Sequence, residues 1–345
     1  MLIAVVSSKN SPGATTTALA LTLAWPRPAL LAELDPRGGD ILWGYGRGQN
    51  VGGAGLLRLQ LTSRSHPPAE SVWSEVIELP GPVLVKGPGV DGRRWWLPGL
   101  TEPKQVGTVN WPLVLRLLRS VDDGADVVAD CGSVYGNPER IPKAAWAGAD
   151  LVVLTVRPTL AGVHAARNAA QILREDLMIS GLGPDRLVSV VVGCPYGYPL
   201  SQVVDELQDC APVLGDLPYD PDAADTLGGL RDQRPRFARA YLLRHATKIA
   251  AAIGSRVLDG ATETIPDATP STPRPPAPMT PAPAPAGGST PVLDRTVASS
   301  TRPSTSRPVP SLVLPARRVV PASPPPPVPR PTGTPADAPA TGGTS

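Results

Sequence analysis

The sequence is poor in cysteine and in phenylalanine. It contains 3 Cys and 1 Phe in 345 residues. The cysteines, Cys131, Cys194 and Cys210, are widely and irregularly spaced, which fits neither a disulfide framework nor the ligand spacing of a zinc site. We therefore expect a chain that works in a reducing, cytoplasmic setting.

Long hydrophobic runs and strong net charge are also lacking. The apolar run at residues 2–6 is shorter than the roughly 7–15 apolar residues of a secretory signal, and no later run reaches the roughly 20 that cross a bilayer. The formal net charge is only +2, which excludes a strongly cationic nucleic-acid-binding fold but leaves room for a local basic patch. We expect neither a transmembrane segment nor peripheral membrane contact.

Proline, in contrast, is abundant and unevenly placed. Of the 45 prolines, 23 follow residue 261, and they stand among Ala, Thr and Ser. Such a segment cannot bury enough apolar surface to fold. The sequence therefore predicts a folded domain over residues 1–258 and a disordered tail over 259–345. Two apolar islands in the tail, 291–297 and 309–320, are either docking motifs for a protein partner or parts of an inert tether.

Short, continuously apolar runs recur through the first 258 residues, and continuous apolarity is typical of strands that are buried on both faces of a parallel sheet. The predicted strands are residues 2–6, 29–34, 82–86, 126–130, 151–156 and 187–193. Segments with helical spacing alternate with them, at 15–24, 111–121, 160–179, 201–207 and 235–257. The alternation predicts an α/β fold, a doubly wound and mostly parallel sheet with helices on both faces. Residues 40–80 read as an irregular insertion or as one or two short helices.

The loop after the first strand has the composition of a phosphate-binding loop. Small residues lead from the strand through Gly13 and Ala14 into a helix that begins near Thr15 and Thr16. Backbone N–H groups and the helix dipole point at an anion in this geometry, and Thr15 stands where a P-loop hydroxyl binds Mg²⁺. Ala14 occupies the place of the usual lysine. The alternative interpretation is a Ser/Thr-rich turn that caps the helix.

Two further strands end in carboxylates. Glu33 and Asp35 close the second strand, and Asp130 closes the strand that begins near residue 126. An acid placed in this way can hold Mg²⁺ through water, although such an acid can also be only the N-cap of the next helix. Because ligands of doubly wound sheets bind at the carboxyl ends of the strands, these acids and the loop are expected to converge.

Taken together, these segments resemble the ParA/MinD family of P-loop NTPases, whose deviant Walker A pattern is Lys-Gly-Gly-x-Gly-Lys-Thr-[Thr/Ser]. Lys9 matches the first lysine, Gly13 the last glycine, and Thr15 and Thr16 the two hydroxyls, whereas Ala14 replaces the second lysine. Residues 33–40 resemble the family's Asp-x-Asp-Pro-x-Gly motif through Asp35.

The resemblance continues through the rest of the domain. Residues 126–132 resemble its Walker B strand through Asp130, residues 149–159 resemble the strand that carries the chain back across the sheet, and residues 214–221 resemble the segment near the base pocket, with Pro218 and Asp220. All five motifs keep the family's order over residues 1–258.

The resemblance implies ATP and Mg²⁺ as cofactors and a homodimer as the active form. Lys9, Gly13, Ala14, Thr15 and Thr16 would bind the phosphates, with Pro218 and Asp220 near the base. The metal would be held by Thr15, Asp35 and Asp130, partly through water, and Asp35, Asp130 and Lys9 would serve hydrolysis.

Loss of the second lysine removes a charge-assisted contact of about 1.5–3 kcal/mol. We therefore expect nucleotide binding to be retained or weakened and hydrolysis to be slow or absent. In the family, the residue matched by Lys9 reaches the partner's phosphates across the dimer, and it could compensate in part.

The function implied is a nucleotide-dependent dimerising switch that positions cargo, either a DNA partition complex or a polar secretion or pilus apparatus. The main alternative is a non-hydrolysing pseudo-ATPase scaffold that binds a protein partner through its surface or tail. A metabolic enzyme of related fold is a third alternative, for which no substrate-binding motif is found.

Two segments have alternative interpretations. The last predicted helix is basic and amphipathic, and it either packs on the sheet through Phe237, Tyr241, Leu242, Ile249 and Ile253 or binds DNA nonspecifically or another anionic surface. Residues 95–96, two tryptophans, form either a local cap over the core or a surface for a partner.

Overall fold

A computed structural model describes residues 1–8, 13–82, 84–85, 92–121, 124–136 and 142–263, the last five as backbone only. Lys9 and the predicted disordered tail lie outside these residues, apart from the short stretch 259–263. No helix in the described ranges combines the length and the apolar character needed to span a bilayer.

The described strands form one eight-stranded sheet. They are β1 (Leu2–Ser7), β2 (Ala29–Glu33), β3 (Ile77–Glu78), β4 (Arg94–Leu97), β5 (Asp126–Ser133), β6 (Leu151–Val156), β7 (Leu187–Val192) and β8 (Val213–Leu217). Their order is β3-β4-β2-β5-β1-β6-β7-β8. Only β3 runs antiparallel to its neighbour, which confirms a mostly parallel sheet.

Helices cover both faces of this sheet. In the described chain the α-helices are α1 (Ala14–Ala24), α2 (Asp40–Trp43), α3 (Leu56–Thr62), α4 (Pro68–Trp73), α5 (Trp111–Arg119), α6 (Lys143–Ala147), α7 (Leu160–Ile179), α8 (Leu200–Leu207), α9 (Pro221–Leu227) and α10 (Tyr241–Glu263). Helices α1, α2, α9 and α10 share one apolar core layer, and α3 to α8 share the other. The predicted doubly wound fold is thereby confirmed.

The centre of the sheet explains the continuous apolarity of β1. This strand pairs in parallel with both β5 and β6, and all six of its residues are buried. Helix α1 packs on this region and is itself covered by α10. Because α1 is enclosed between the sheet and another helix, it is built mainly from Ala, Thr and Leu, most of which are buried.

The edge of the sheet differs from the sequence prediction. Residues 82, 84 and 85 of the predicted strand 82–86 are not in a strand, and 83 and 86 lie outside the described residues. The edge is formed instead by β3 and β4, with Trp96 fully buried in β4. Trp96 is therefore part of the core rather than a cap or a partner surface, whereas Trp95 is half-buried and packs over the other core layer against Trp73. Proline and glycine at 80–82 disfavour strand pairing because Pro lacks an N–H donor.

The last helix begins later than predicted. Helix α10 starts at Tyr241, and the residues before it form a short 3₁₀ turn, Phe237–Arg239. Ala240 has an extended backbone that interrupts the helix, and the carboxylate of Asp220 accepts the Leu242 N–H at 3.2 Å. Tyr241 is 51% exposed, so its predicted place in the core-facing stripe was wrong, whereas Phe237, Leu242, Ile249 and Ile253 are buried.

Two other parts of the chain are more regular than predicted. Residues 40–80 contain three short helices, α2 to α4, and the strand β3. The segment from Val213 to Leu217, for which the sequence predicted no strand, is a strand that pairs with β7.

Asp126 is the first residue of β5. It lies at the amino-terminal ends of the strands, opposite the carboxyl ends that carry the acids, and it connects two segments of the chain there. Its carboxylate accepts the indole N–H of Trp25 at 2.7 Å and both arms of the Arg27 guanidinium at 2.7 and 2.8 Å. The residue is 4% exposed. The turn between α1 and β2 is thereby tied to the start of β5.

We expect Asp126→Ala to lower the free energy of unfolding by about 3 kcal/mol, because the buried Trp25 donor loses its acceptor and Arg27 loses its counter-charge. Urea denaturation measures this change. Asp232→Ala, at a carboxylate that is 95% exposed, is the control and should stay within about 0.5 kcal/mol of the unaltered chain. Equal effects of the two variants would contradict the assignment.

Candidate functional site

A cleft of about 550 Å³ opens at the carboxyl ends of the central strands. Its walls come from the end of β1, the first turn of α1, the loop after β2, the end of β6 and the loops after β7 and β8. The lining residues are Ser7, Gly13, Ala14, Thr15, Thr16, Arg37, Asp40, Arg157, Val192, Gly193, Pro218, Tyr219, Asp220, Ala224 and Leu242. Six of the predicted site residues, Gly13 to Thr16 with Pro218 and Asp220, are therefore brought together.

The first turn of α1 lines the cleft. Gly13 precedes the helix in the left-handed conformation, with φ 78° and ψ 36°, and no side chain caps the helix. The N–H groups of a first helical turn have no partner within the helix. No capping hydrogen bond to this turn is found among the described residues, and residues 9–12 of the loop lie outside them.

Asp130 is a buried acid beneath this helix turn. It is fully buried, and its Oδ2 has no hydrogen-bond partner among the described residues. Burial raises the pKa of Asp130 to about 7, with smaller rises from the charges of Asp35 and Glu33, while contacts from the Thr15 hydroxyl and the Gly132 N–H oppose the shift. An unpaired oxygen on a carboxyl with this pKa fits a site that takes up a cation.

Asp35 lies next to Asp130, but its carboxylate is paired with an arginine, Arg37. The Arg37 guanidinium donates to both carboxylate oxygens of Asp35, at 3.1 Å from Nε to Oδ1 and at 2.7 Å from Nη2 to Oδ2. A Cβ on Gly132 would stand 2.4 Å from Asp35 Cγ, so only glycine fits at the end of β5 when Asp35 is in this position. Asp35 is 5% exposed and is screened from the cleft by Arg37.

Two more carboxyls complete the acidic cluster. Glu33 pairs with Asp130 across β2 and β5, and burial raises its pKa. Its two oxygens accept the N–H groups of Ile41 and Gly99, both at 3.0 Å, so they are already used in holding α2 and the loop after β4. Asp40 lines the cleft, and desolvation, followed by the charge of Asp35, raises its pKa.

The other wall contains Pro218 and Asp220. The carboxylate of Asp220 caps α9 by accepting the Ala223 N–H at 3.2 Å and also accepts the Leu242 N–H. Asp220 thus holds two helices in place beside the cleft. Gly193 lies so close that a Cβ would stand 2.5 Å from the Tyr219 nitrogen, and this close approach joins the ends of β7 and β8.

The donor set fits a hydrated Mg²⁺ better than a directly ligated ion. Within the described ranges, no group of three or more His, Cys, Asp or Glu side chains is arranged to hold a metal. Mg²⁺ usually keeps several waters and takes only one or two protein ligands. The Thr15 hydroxyl and the unpaired Asp130 oxygen are suited to that kind of binding.

Sequence reasoning missed the two cationic side chains of the cleft, Arg37 and Arg157, and the acid Asp40. The signal for Arg37 was its place two residues after Asp35, directly beyond an acid-ended strand. Nothing in the sequence indicated that Arg157, which follows β6, would face the same space.

Comparison with known proteins identifies the fold. No family model matches the sequence, and no match is found among curated proteins. The solved structure of the cell division ATPase MinD from Pyrococcus furiosus is 18% identical with a TM-score of 0.54, over 74% of this chain and 98% of that one. The septum site-determining protein MinD from Pyrococcus horikoshii, complexed with Mg-ADP, is 16% identical with a TM-score of 0.55, over 76% and 99%.

A ParA family ATPase from Chlorobium tepidum is 11% identical with a TM-score of 0.52, over 72% of this chain and 97% of that one. Identities this low show similarity of fold. The chain therefore has the MinD/ParA type of P-loop NTPase fold, as its sequence motifs indicated.

The raised pKa of Asp130 predicts a pH-dependent stability. In the native state Asp130 keeps its proton up to a pH of about 7, whereas in the unfolded chain it loses the proton near pH 4. Its contribution is therefore complete below pH 4 and is lost as the pH rises to 7. Asn cannot ionise, so Asp130→Asn should not lose stability as the pH rises. Between pH 5 and pH 8 its free energy of unfolding should rise relative to that of the unaltered chain, by up to about 1.4 kcal/mol for each unit by which the pKa of Asp130 is higher in the folded than in the unfolded chain.

Chemical denaturation in EDTA at pH 5 and pH 8 measures the difference, with Asp232→Asn as the exposed-carboxylate control. A stability difference between Asp130→Asn and the unaltered chain that is the same at both pH values would show that Asp130 does not stay protonated in the folded state.

Proposed function

We propose that this chain is a nucleotide-binding switch of the ParA/MinD type, which binds ATP with Mg²⁺ in the cleft, dimerises, and positions a cargo complex. The observation that carries the proposal is the arrangement, within this fold, of the first turn of α1 and Pro218 along one cleft, with the buried Asp130 in contact with Thr15 of that turn. Binding of Mg-ADP by the MinD of similar fold supports the choice of ligand.

Each predicted residue has a place in this proposal. The backbone of Gly13, Ala14, Thr15 and Thr16 would hold the phosphates, because uncapped N–H groups at a helix start bind anions. Thr15 and Asp130 would hold Mg²⁺, with Asp130 acting through water, and Asp35 would join them when it is released from Arg37. The ion would neutralise phosphate charge.

The remaining residues follow from the cleft and from the family pattern. Pro218 and Asp220 would bound the base pocket, and Lys9 would act in the dimer. Residues 1–258 would bind the nucleotide and residues 259–345 would form the tether, although the first five of these continue helix α10 to Glu263, and the protein would act in the cytoplasm.

Slow or absent hydrolysis is part of the proposal. Ala14 is 6% exposed at the start of α1, and a methyl group there supplies no charge to a transferring phosphoryl group. The state of the switch would then be set mainly by binding and release of nucleotide. A protein partner that binds the surface or the tail, or nonspecific DNA, would bind the nucleotide-bound and nucleotide-free states differently.

A non-hydrolysing scaffold remains the second candidate, and two observations favour it. The cleft lacks the lysine at position 14, and Asp35 is held by Arg37 in the structure. A chain that had lost nucleotide binding could keep both features while its fold served a partner.

Equilibrium titration with ATP tests the nucleotide site. We expect saturable binding at or below millimolar ATP. Thr15→Val should weaken binding in Mg²⁺ by roughly tenfold but leave binding in EDTA unchanged, because only the metal-linked hydroxyl is removed. Thr101→Val, at an exposed threonine outside the cleft, is the matched control. Absence of saturable binding to the unaltered chain would favour the scaffold.

Light scattering after size-exclusion chromatography separates the switch from the scaffold. The switch should double its mass with ATP and Mg²⁺, because a nucleotide-dependent dimer forms, and should return to the monomer mass when nucleotide is removed. The same mass with and without ATP would contradict the switch.

A further inference from the structure

Arg37 closes the acidic end of the cleft. Its guanidinium holds the Asp35 carboxylate through two arms, as described above, yet the side chain is 54% exposed. It also lines the cleft in company with Thr15 and Thr16. Arg37 therefore faces both a buried acid and the space that a ligand would fill.

The cleft needs a cation because position 14 is alanine. Among the described lining residues, the cationic side chains are Arg37 and Arg157. Arg157 follows β6, on the side of β1 away from the acids. Arg37 is hydrogen-bonded to Asp35, and a guanidinium is always protonated in proteins, so Arg37 carries its charge at the edge of the candidate metal site.

We propose that Arg37 is the phosphate-binding cation of this cleft, in place of the absent lysine, and that it exchanges between Asp35 and the phosphates of a bound nucleotide. This inference rests on the proposed function. It names a residue for which the ParA/MinD resemblance predicted no role, since the matched acidic motif leaves this position variable.

The chemistry of the guanidinium supports the exchange. The planar fork that binds a carboxylate with two parallel N–H bonds binds a phosphate in the same way. Although Asp35 is buried, the Arg37 side of the pair is 54% exposed, so a multiply charged phosphate chain can reach the same fork and compete for it. The release of Asp35 then makes its carboxylate available beside Asp130, so phosphate binding and completion of the acidic site are coupled.

The first test is the affinity of the 345-residue chain for ATP and for adenosine, measured by calorimetry. Arg37→Ala should weaken ATP binding by about ten- to a hundredfold and leave adenosine binding within about twofold, because only phosphate contacts are lost. Arg47→Ala is the matched control, since Arg47 also pairs with an aspartate, Asp232, but does not line the cleft. Arg47→Ala should bind ATP as the unaltered chain does.

The second test removes the Asp35 carboxylate, which competes with the phosphates for the Arg37 guanidinium. In EDTA, Asp35→Asn should raise the affinity for ATP by about two- to fivefold, because Arg37 is no longer held by a carboxylate. If Arg37 only kept Asp35 in place, Asp35→Asn would raise the ATP affinity by the same factor in the Arg37→Ala background, because only the repulsion between the carboxylate and the phosphates would be lost. The double variant Ala14→Lys with Arg37→Ala should recover most of the ATP affinity lost in Arg37→Ala, since a lysine at position 14 supplies the missing charge.

The outcomes separate this inference from the function on which it rests. Unchanged ATP affinity in Arg37→Ala would overturn the role of Arg37 while leaving the nucleotide site standing. Equal losses for ATP and adenosine would show a structural role and would also overturn it. A weaker, rather than tighter, binding of ATP to Asp35→Asn in EDTA would overturn the exchange. Absence of ATP binding to the unaltered chain would overturn both proposals.

Discussion

Parallel pairing of β1 with both β5 and β6 is the constraint on which the cleft depends. Three buried strands in one register bring their carboxyl ends to the same edge of the sheet, and the loop into α1 must leave from the middle of that edge. The acids of β2 and β5 meet on one side of this point, where Glu33 lies opposite Asp130. The loops after β7 and β8 form the other side. The first turn of α1, an acidic cluster and a second wall are thus brought together by strand order.

Charge is the second constraint at this edge. Four carboxyls, those of Glu33, Asp35, Asp40 and Asp130, lie close enough for their charges to affect one another, and such a cluster is costly in a buried setting unless it is neutralised or kept protonated. The chain uses both solutions. Asp130 keeps its proton up to about pH 7, and Asp35 is paired with Arg37. A bound cation would supply a third solution, which links the stability of this edge to occupancy of the site.

The proposed exchange of Arg37 would give the cleft a way to respond to nucleotide without fast hydrolysis. In a P-loop enzyme a fixed lysine serves the phosphates, whereas here the candidate cation is shared with an acid of the same site. Its movement would change the charge beside Asp130 and the position of the loop that leads into α2, where Trp43 is 74% exposed. A partner or a second copy of the chain that contacts this loop would then distinguish the two states.

The fold class, and the placing of Gly13 to Thr16 at a helix start after the first strand, could be predicted from the sequence alone. Continuous apolar runs and acid-ended strands such as residues 126–130 are local patterns, and local patterns are read directly from sequence. Only the folded chain shows that β3 and β4, with Trp96, form one side of the sheet while residues 82, 84 and 85 stay outside any strand, and that Arg37 lies over Asp35. The strands at this side of the sheet depend on burial and on contacts between segments that are distant in the chain, and the position of Arg37 depends on the path of a loop. Neither is encoded in the local periodicity of the sequence. The absent lysine was visible in the sequence, and only the folded chain showed the arginine that stands beside the cleft.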